Sequence, residues 1–389
     1  MINIKKVRQD TPGCQDQIFL NSAGASLVPS VVTDVMKAYL DREAQLGGYQ
    51  TAPFYQEEIN AFYEQTAVLL NCKPENIAFT YNATDAYSKA LSSIYFMPGD
   101  YILTTDDDYI SNHIAFLSLQ KEHGIEILRI NNLPNADLDL QDAEEKIVRF
   151  RPKLVAVTHI PTNSGKIQAV EDIGNLCEKH EVWYLVDACQ SVGQIVVDVR
   201  KIKCDFLSAT GRKFLRGPRG TGFLYVSDKA LKSGLEPLMI DMRGAVWSDE
   251  NAYTPVETAK RFEQWEISYA CLIGLGEAVR YANHIGMDQI ASYNHNLSIL
   301  LKQQLKNISG ITITENGSKS SSIVTFTSHV KPLEYFTTKL DRAKIRYSIG
   351  YRHFALIDFN KKNVDWVIRF SPHYFNTEKE ISEAVQSLI

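Results

Sequence analysis

Short apolar runs alternate with amphipathic stretches through the first 230 residues of the chain. The runs that we predict as strands are Ile77–Tyr81, Asp100–Thr104, Glu126–Ile130, Leu154–Thr158, Trp183–Val186, Phe206–Ala209 and Gly222–Val226. The helical stretches between them include Thr84–Tyr95, Leu140–Phe150 and Val170–His180. This alternation is typical of a mainly parallel sheet that is covered by helices.

The pattern changes after about residue 270. Helices are predicted over Ala270–Ile285 and Met287–Asn307, and alternating segments follow at Ser322–Thr327 and Val367–Ser371. We therefore predict two domains. A large α/β domain spans residues 17–270, and residues 1–16 pack with residues 271–389 in a smaller α+β domain.

Composition and charge narrow the possible partners. The 389 residues are 44% hydrophobic and carry a formal net charge of -5, with no run of five or six basic residues, so nucleic acid is not an expected partner. No apolar stretch approaches the roughly 20 residues of a membrane span. The first ten residues, MINIKKVRQD, lack the apolar core of a signal peptide. We expect a cytoplasmic protein without a membrane partner.

The cysteines are widely spaced, and none forms a C-x-x-C pair. This spacing favours neither a disulfide framework nor a metal site, and it fits a reduced compartment. The six cysteines are Cys14, Cys72, Cys177, Cys189, Cys204 and Cys271, so the last 118 residues contain none.

A glycine-rich turn between two predicted strands carries Lys213, with Arg212 before it and Arg216 after it. Nearby positive charge disfavours protonation of an amine and makes a lysine a better nucleophile. Thr210 and Arg212 are candidates to hold phosphate oxygens while Lys213 attacks an aldehyde. Taken alone, the segment is more typical of a basic surface turn.

Asp187 directly follows a strand of the predicted sheet, at the edge where open α/β folds bind ligands. A buried carboxylate there needs a cationic partner, which a protonated pyridine nitrogen would supply. The alternative role is a helix N-cap, which is common after strands.

Two further turns also follow strands. In the first, Ala83 and Thr84 begin a helix whose free backbone N–H groups suit a phosphate. In the second, the Thr162 hydroxyl and the Asn163 amide could contact a ring oxygen or the substrate. Each signal is weak alone, but together they describe one pocket.

With these motifs the sequence resembles the class V aminotransferase group of fold-type I enzymes, which depend on pyridoxal 5′-phosphate (PLP). That group includes cysteine desulfurases, selenocysteine lyases, kynureninases and isopenicillin N epimerase-like proteins. The resemblance extends from Phe19–Gly24 to Arg369 and is most specific over Val186–Gly222. It implies the PLP-dependent transferase fold of type I, with a mainly parallel seven-stranded sheet in the large domain and a smaller α+β domain.

The resemblance also implies roles for individual residues. Lys213 would be the catalytic residue that forms the Schiff base with PLP, Asp187 would pair with the pyridine nitrogen, and Gln190 would reach the ring hydroxyl. Arg369 would clamp the substrate α-carboxylate, a task that suits a planar guanidinium. Ala83, Thr84, Thr210 and Arg212 would bind phosphate, Ile110 and Thr162 would contact the cofactor, and Asn163 would contact the substrate.

The chain departs from the desulfurase pattern at three places. Arg212 stands where desulfurases have a histidine, and Ile110, or Tyr109 with a shift of one residue, stands where a histidine stacks on the cofactor ring. The segment Arg346–His353, where desulfurases carry a sulfur-accepting cysteine, has no cysteine. Desulfuration by the usual route would lack its nucleophile.

The motifs most resemble the branch of isopenicillin N epimerase-like proteins and ergothioneine-pathway C–S lyases. We therefore expect β-elimination from a cysteine derivative, with an epimerase, an aminotransferase or a non-catalytic protein of the same fold as alternatives. The resemblance further implies a homodimer. It leaves open whether Arg216, Arg219, Trp265 or Glu266 contacts substrate, with a solvent-exposed turn as the other role for the two arginines.

Overall fold

The computed structural model describes residues 2–315 and 317–389. The strands are β1 Ile18–Phe19, β2 Ile77–Thr80, β3 Tyr101–Thr104, β4 Glu126–Arg129, β5 Leu154–Thr158, β6 Trp183–Asp187, β7 Phe206–Thr210, β8 Gly222–Val226, β9 Ala245–Asp249, β10 Ala252–Pro255, β11 Thr312–Ile313, β12 Val324–Thr327, β13 Ile345–Arg346, β14 Ser348–Tyr351 and β15 Trp366–Phe370. The α-helices are α1 Ile4–Gln9, α2 Ser30–Leu46, α3 Gly48–Thr51, α4 Gln56–Leu70, α5 Ala83–Ser92, α6 Ile110–His123, α7 Leu140–Phe150, α8 Val170–Lys179, α9 Val199–Ile202, α10 Asp228–Lys232, α11 Tyr269–Ile285, α12 Met287–Lys306, α13 Leu333–Arg342, α14 Leu356–Lys362 and α15 Glu378–Gln386.

Seven strands form the central sheet in the order β2-β8-β7-β6-β5-β3-β4. Strand β8 is antiparallel to both of its neighbours, and the other pairs are parallel. Strands β5, β7 and β8 are buried along their whole length, because helices cover both faces of the sheet and leave apolar runs without polar alternation. The predicted fold type, with its mainly parallel sheet, is confirmed.

A second sheet of four antiparallel strands, in the order β11-β12-β15-β14, lies in the C-terminal part of the chain. Apolar side chains of α12, α13 and α15 pack with β12 and β15 in one core cluster, which includes Leu301, Phe326, Leu340 and Ile381. These helices carry their apolar residues at intervals of three and four, which places them on one face.

The N-terminal residues lie against the C-terminal part of the chain. Val7 and Cys14 share a buried cluster with Ile290, Tyr374 and Phe375. Strand β1 pairs in parallel with β13, although we assigned it to the large domain, and α11 packs into the core of the central sheet, although we assigned it to the small one. The boundaries at residues 17 and 270 therefore stay a prediction.

Arg216 is not a solvent-exposed turn residue, which was one of the two roles considered for it. Its side chain is fully buried, with Nε donating to the Leu27 carbonyl at 2.9 Å and Nη2 to the Thr11 hydroxyl. The guanidinium carbon lies 4.9 Å from the ring centres of Tyr374 and Phe375. Arg219 is exposed. Among the described residues, no helix is both long and apolar enough to span a membrane.

Candidate active site

The carboxyl ends of β5, β6 and β7 lie side by side at one edge of the central sheet. Thr158 at the end of β5 is paired with Asp187, and Asp187 is paired with Ser208 of β7. The turns that follow these strands carry the residues singled out from the sequence, so the order of strands brings together motifs that lie more than 50 residues apart in the chain. This edge is the usual ligand site of open α/β sheets.

The turn between β2 and α5 forms one wall of the site. The Asn82 side chain caps α5 by accepting from the Asp85 amide at 2.9 Å, while the amides of Ala83 and Thr84 belong to the first turn, whose N–H groups have no partner within a helix. Gly222 lies opposite Thr210, and a Cβ there would come within 2.8 Å of the Asn82 carbonyl carbon. Glycine thus allows the helix start to approach the lysine-bearing turn.

Lys213 lies in the turn after β7 and is 8% exposed. Burial lowers the pKa of its ammonium group, and the charges of Arg212 and Arg369 lower it further, whereas Cys189 and Asp187 oppose the shift. A lysine with a lowered pKa has more of the free amine that attacks an aldehyde. The close approach of Gly193 to the Phe214 backbone packs the turn after Asp187 against this segment.

Asp187 is buried and uses both carboxylate oxygens. Oδ1 accepts from the Cys189 amide at 2.9 Å, and Oδ2 accepts from the Asn112 side chain at 3.0 Å. Asp187 therefore fixes the turn that follows β6. It is not a helix N-cap, the alternative role, because the next helix begins at Val199 with Asp198 as its cap. Its second oxygen still has a lone pair that can accept a hydrogen bond.

The side chains of Gln190 and Arg369 both donate to the Thr162 hydroxyl. Nε2 of Gln190 donates to Thr162 Oγ1 at 2.9 Å and to the Ala23 carbonyl at 3.1 Å, and Nη1 of Arg369 donates to the same hydroxyl. Arg369 Nη2 reaches Asn21 Oδ1 at 3.5 Å. Burial, with a contribution from the Arg212 charge, lowers the pKa of Arg369 to about 10. Asn163 is buried in the same turn as Thr162.

Tyr109, one of the two candidates to cover the cofactor ring, lies near Lys213. The Lys213 Nζ is 5.7 Å from the centre of the Tyr109 ring. Tyr109 is the N-cap residue of α6, and Ile110 is the first residue of that helix. The position of Tyr109 favours it for the role that the sequence gave to Ile110, whose contact with a cofactor stays a prediction.

Arg212 is oriented towards the N-terminal turn. Its Nη1 donates to the Gly24 carbonyl at 2.7 Å, and its backbone carbonyl accepts from the Ser26 amide at 2.8 Å. The Thr210 hydroxyl donates to the Thr221 carbonyl at 3.3 Å. The phosphate contacts expected of Thr210 and Arg212 stay predictions.

Two residues of the site escaped the sequence reasoning. Asp108 and Asn112 are both buried, and the Asn112 amide lies between the carboxylates of Asp108 and Asp187. The signal was present in the sequence as the acidic run Asp106–Asp108 directly after a strand. Interpreting it required knowing that β3 lies beside β5, whose neighbour is β6.

Comparisons with known proteins agree with this geometry. A sequence model of the family described as "Aminotransferase class-V" matches residues 18–383. The chain belongs to the class V aminotransferase family. A probable cysteine desulfurase of Pyrococcus abyssi is 30% identical over 388 residues, which cover 96% of this chain and 94% of the relative.

Solved structures of class V relatives share the fold. The apo structure of a cysteine desulfurase from Thermococcus onnurineus NA1 superposes with a TM-score of 0.91 at 26% identity, covering 99% of this chain and 97% of that one. The complex of the cystine C–S lyase C-DES with its product cysteine persulfide gives a TM-score of 0.86 at 22% identity and covers 97% and 98% of the two chains.

Pyridoxal 5′-phosphate is the cofactor of class V enzymes, and the expectation of a PLP-dependent enzyme is confirmed. The site residues fit this group. Gln190 Oε1 and Arg369 Nε are buried and have no hydrogen-bond partner among the described residues, so both can bind a polar ligand. A buried amine, a buried carboxylate and a helix start are the groups that would hold the aldehyde, the pyridine nitrogen and the phosphate.

Proposed function

We propose that this chain is a C–S lyase that removes sulfur from a cysteine derivative by β-elimination. The proposal depends on which functional groups the site has and which it lacks. Lys213, Asp187 and Arg369 gather around one sheet edge, whereas the segment Arg346–His353, where desulfurases carry their sulfur acceptor, has no cysteine.

The segment without cysteine is also built as sheet. Strand β14, Ser348–Tyr351, pairs with β15, and Ser348 lies opposite Arg369. Position 348 is therefore fixed by strand pairing next to Arg369, the residue proposed to bind the substrate carboxylate. This supports a reaction in which the sulfur leaves with a small product and is not handed to the protein.

The bound cofactor would supply an electron sink that stabilises negative charge at the substrate Cα. Arg369 would bind the α-carboxylate, with Asn163 nearby, and so direct the Cα hydrogen towards Lys213. The Nζ of Lys213, whose pKa is lowered by burial, would take that proton. The Cβ–S bond then breaks, the sulfur leaves as a thiol, and the remaining aminoacrylate hydrolyses to pyruvate and ammonia.

Other residues would hold the cofactor. Asp187 would pair with the ring nitrogen, Gln190 and Thr162 would reach the ring hydroxyl, and Tyr109 or Ile110 would cover the ring. Ala83, Thr84 and Thr210 would bind phosphate. Arg212 was also expected to bind phosphate. Its hydrogen bond to Gly24, in the turn that Arg369 contacts through Asn21, instead favours a role in binding substrate.

The test is a product assay on the purified, PLP-loaded protein with cysteine, cystine and a panel of cysteine S-conjugates. We expect pyruvate and ammonia in equal amounts, together with the released thiol or persulfide. Alanine in place of pyruvate would indicate desulfuration and overturn the proposal. Amino transfer to a keto acid without elimination would favour an aminotransferase, and loss of optical purity would favour an epimerase.

The narrower placement in the isopenicillin N epimerase-like and ergothioneine-lyase branch is part of the proposal, since the relatives described above are named desulfurases. A non-catalytic protein of the same fold is the alternative of another class. The presence of Lys213, Asp187 and Arg369 together argues against it, and release of any product from the panel would exclude it.

We also propose that the protein is a cytoplasmic homodimer. Large apolar side chains cluster in sequence around the hairpin β9–β10, where Met239 and Trp247 are 83% and 80% exposed. Trp265 and Glu266 follow this hairpin in the chain. Exposed apolar patches of this kind mark interaction surfaces. Light scattering that gives the mass of a single chain would contradict the dimer.

A further inference from the structure

Two buried carboxylates at the sheet edge share one amide group. The Nδ2 of Asn112, in the first turn of α6, lies 2.9 Å from Asp108 Oδ1 and 3.0 Å from Asp187 Oδ2. All three side chains are less than 5% exposed. An amide nitrogen carries two hydrogens, so Asn112 can donate one to each carboxylate.

Asp108 is anchored independently of Asn112. Its oxygens accept from the Tyr109 amide at 2.6 Å, from Thr104 Oγ1 at 3.0 Å and from the Thr158 hydroxyl. Thr104 ends β3 and Thr158 ends β5, so the carboxylate is tied to two strands of the central sheet. Asn112 extends this rigid support to Asp187 on the next strand.

We propose that Asn112 is a positioning residue: its amide ties the Asp187 carboxylate to Asp108 and thereby holds it towards the ring nitrogen of bound PLP. The inference rests on the cofactor role proposed for Asp187. Since Cys189 donates to Oδ1 and Asn112 to Oδ2, the carboxylate is held at both ends and cannot turn freely about its χ2 angle. Supports of this kind keep functional groups in a productive geometry.

The hydrogen bonds from Asn112 link two carboxylates whose surroundings favour their separation. Burial raises the pKa of the Asp108 carboxyl, and the charge of Asp187 raises it further, while His113 opposes the shift. Tyr87, Cys189, Lys213 and Ser208 also lie near this pair. Two neighbouring carboxylates repel each other, so a donor that both share stabilises their close arrangement.

The experiment compares Asn112→Ala with Asn76→Ala. Asn76 is an equally buried asparagine whose Nδ2 also donates to an aspartate, Asp228, at 2.8 Å, but in a separate part of the sheet. For each variant one measures the dissociation constant of PLP from the apo protein, the pH midpoint of the absorption bands of the bound cofactor, and the Tm of the apo protein. Asn112→Ser, with a hydroxyl too short to reach both carboxylates, replaces Asn112→Ala if that variant does not fold.

We expect Asn112→Ala to weaken PLP binding about tenfold, as loss of a hydrogen bond to a charged group would, and to shift the pH midpoint. Asn76→Ala should lower Tm and leave both cofactor properties unchanged. Wild-type values for both properties in Asn112→Ala would overturn the inference. The second test adds Asn112→Ala to a protein that already carries Asp108→Ala and so has no bridge. If Asn112→Ala weakens PLP binding there as much as in the wild-type background, the bridge is not the cause and the inference is wrong.

The proposed cofactor role of Asp187 is tested separately in the same titrations. If wild-type protein binds no PLP, or if Asp187→Ala binds it as tightly as wild type, that role fails whatever Asn112 does. If Asp187→Ala weakens binding and Asn112→Ala does not, only the positioning role of Asn112 is wrong.

Discussion

Arg212 and Arg369 both contact the same short turn, residues 21–24. Arg212 donates to the Gly24 carbonyl at 2.7 Å, and Arg369 reaches the Asn21 side chain at 3.5 Å. The turn is fixed to β15 because the Ala23 amide donates to Ser371 Oγ at 3.0 Å. Two guanidinium groups therefore lie near Lys213, and this gives the site a second cation for an anionic ligand.

The bond to Gly24 predicts that Arg212 acts more on substrate than on cofactor phosphate. We expect Arg212→Gln to raise KM about tenfold for a cysteine derivative with a second acidic group, and to change the dissociation constant of PLP by less than about threefold. Steady-state kinetics and PLP titration measure the two effects. Thr84→Ala at the start of α5 is the comparison, for which the opposite pattern is expected. A weaker PLP affinity with unchanged KM would indicate that Arg212 binds the phosphate of the cofactor.

The same variant should change the reactivity of Lys213. The Arg212 charge is one of the causes that lower the pKa of the Lys213 ammonium, after burial. Removing it raises that pKa, so less free amine is present at neutral pH. We expect the rate at which the apo protein captures PLP to be lower in Arg212→Gln at pH 7 and to recover as the pH is raised. A pH profile identical to that of wild type would contradict this coupling.

Lys213 should be the point of covalent attachment. Borohydride reduction of the PLP-loaded protein is expected to bleach its absorption band and to leave the cofactor on the peptide that contains Lys213, as read by mass spectrometry. Lys213→Ala should give no reducible adduct, whereas the exposed Lys201→Ala should behave as wild type. An adduct on another lysine, or a protein that stays colourless with PLP, would show that Lys213 is not the point of attachment.

The sequence predicted the strands of the central sheet to within a residue or two, because buried strands of a parallel sheet are short apolar runs bounded by polar turns. It also singled out Asp187, which directly follows such a run, and Lys213, in the turn after another, and their roles stay predictions. It did not reveal the Asn112 bridge, because that contact depends on the lateral order β3-β5-β6. The burial of Arg216 was missed for a similar reason, as the aromatic rings around it lie about 160 residues later in the chain.

Arg216 should be essential for stability. Its guanidinium is buried between Tyr374 and Phe375 and donates to Leu27 and Thr11, so it joins the lysine turn to both ends of the chain. Replacing it leaves two acceptors without a donor and opens a cavity. We expect Arg216→Ala to lower the free energy of unfolding by about 3–5 kcal/mol. Chemical denaturation measures this, and the exposed Arg219→Ala should stay within about 0.5 kcal/mol of wild type.

Asp358 should make stability depend on pH. It lies in α14, and burial, followed by the charge of Asp107, raises its pKa to about 6, although Lys362 at 2.8 Å and Lys166 oppose the shift. Between about pH 4 and pH 6 the folded protein therefore binds more protons at this carboxyl than the unfolded chain does. The free energy of unfolding then falls as the pH rises through this window, and the loss persists above it.

Asp358→Asn removes this titration. Relative to wild type, the variant should gain stability as the pH rises from about 4 to 6, by up to about 3 kcal/mol before the loss of the Lys362 ion pair is subtracted. Denaturation curves at several pH values measure the difference. The control is Asp365→Asn, whose side chain is 81% exposed and pairs with Arg352 at the surface, and which should follow the wild-type profile. A constant difference between Asp358→Asn and wild type across the window would show that Asp358 titrates at an ordinary pH.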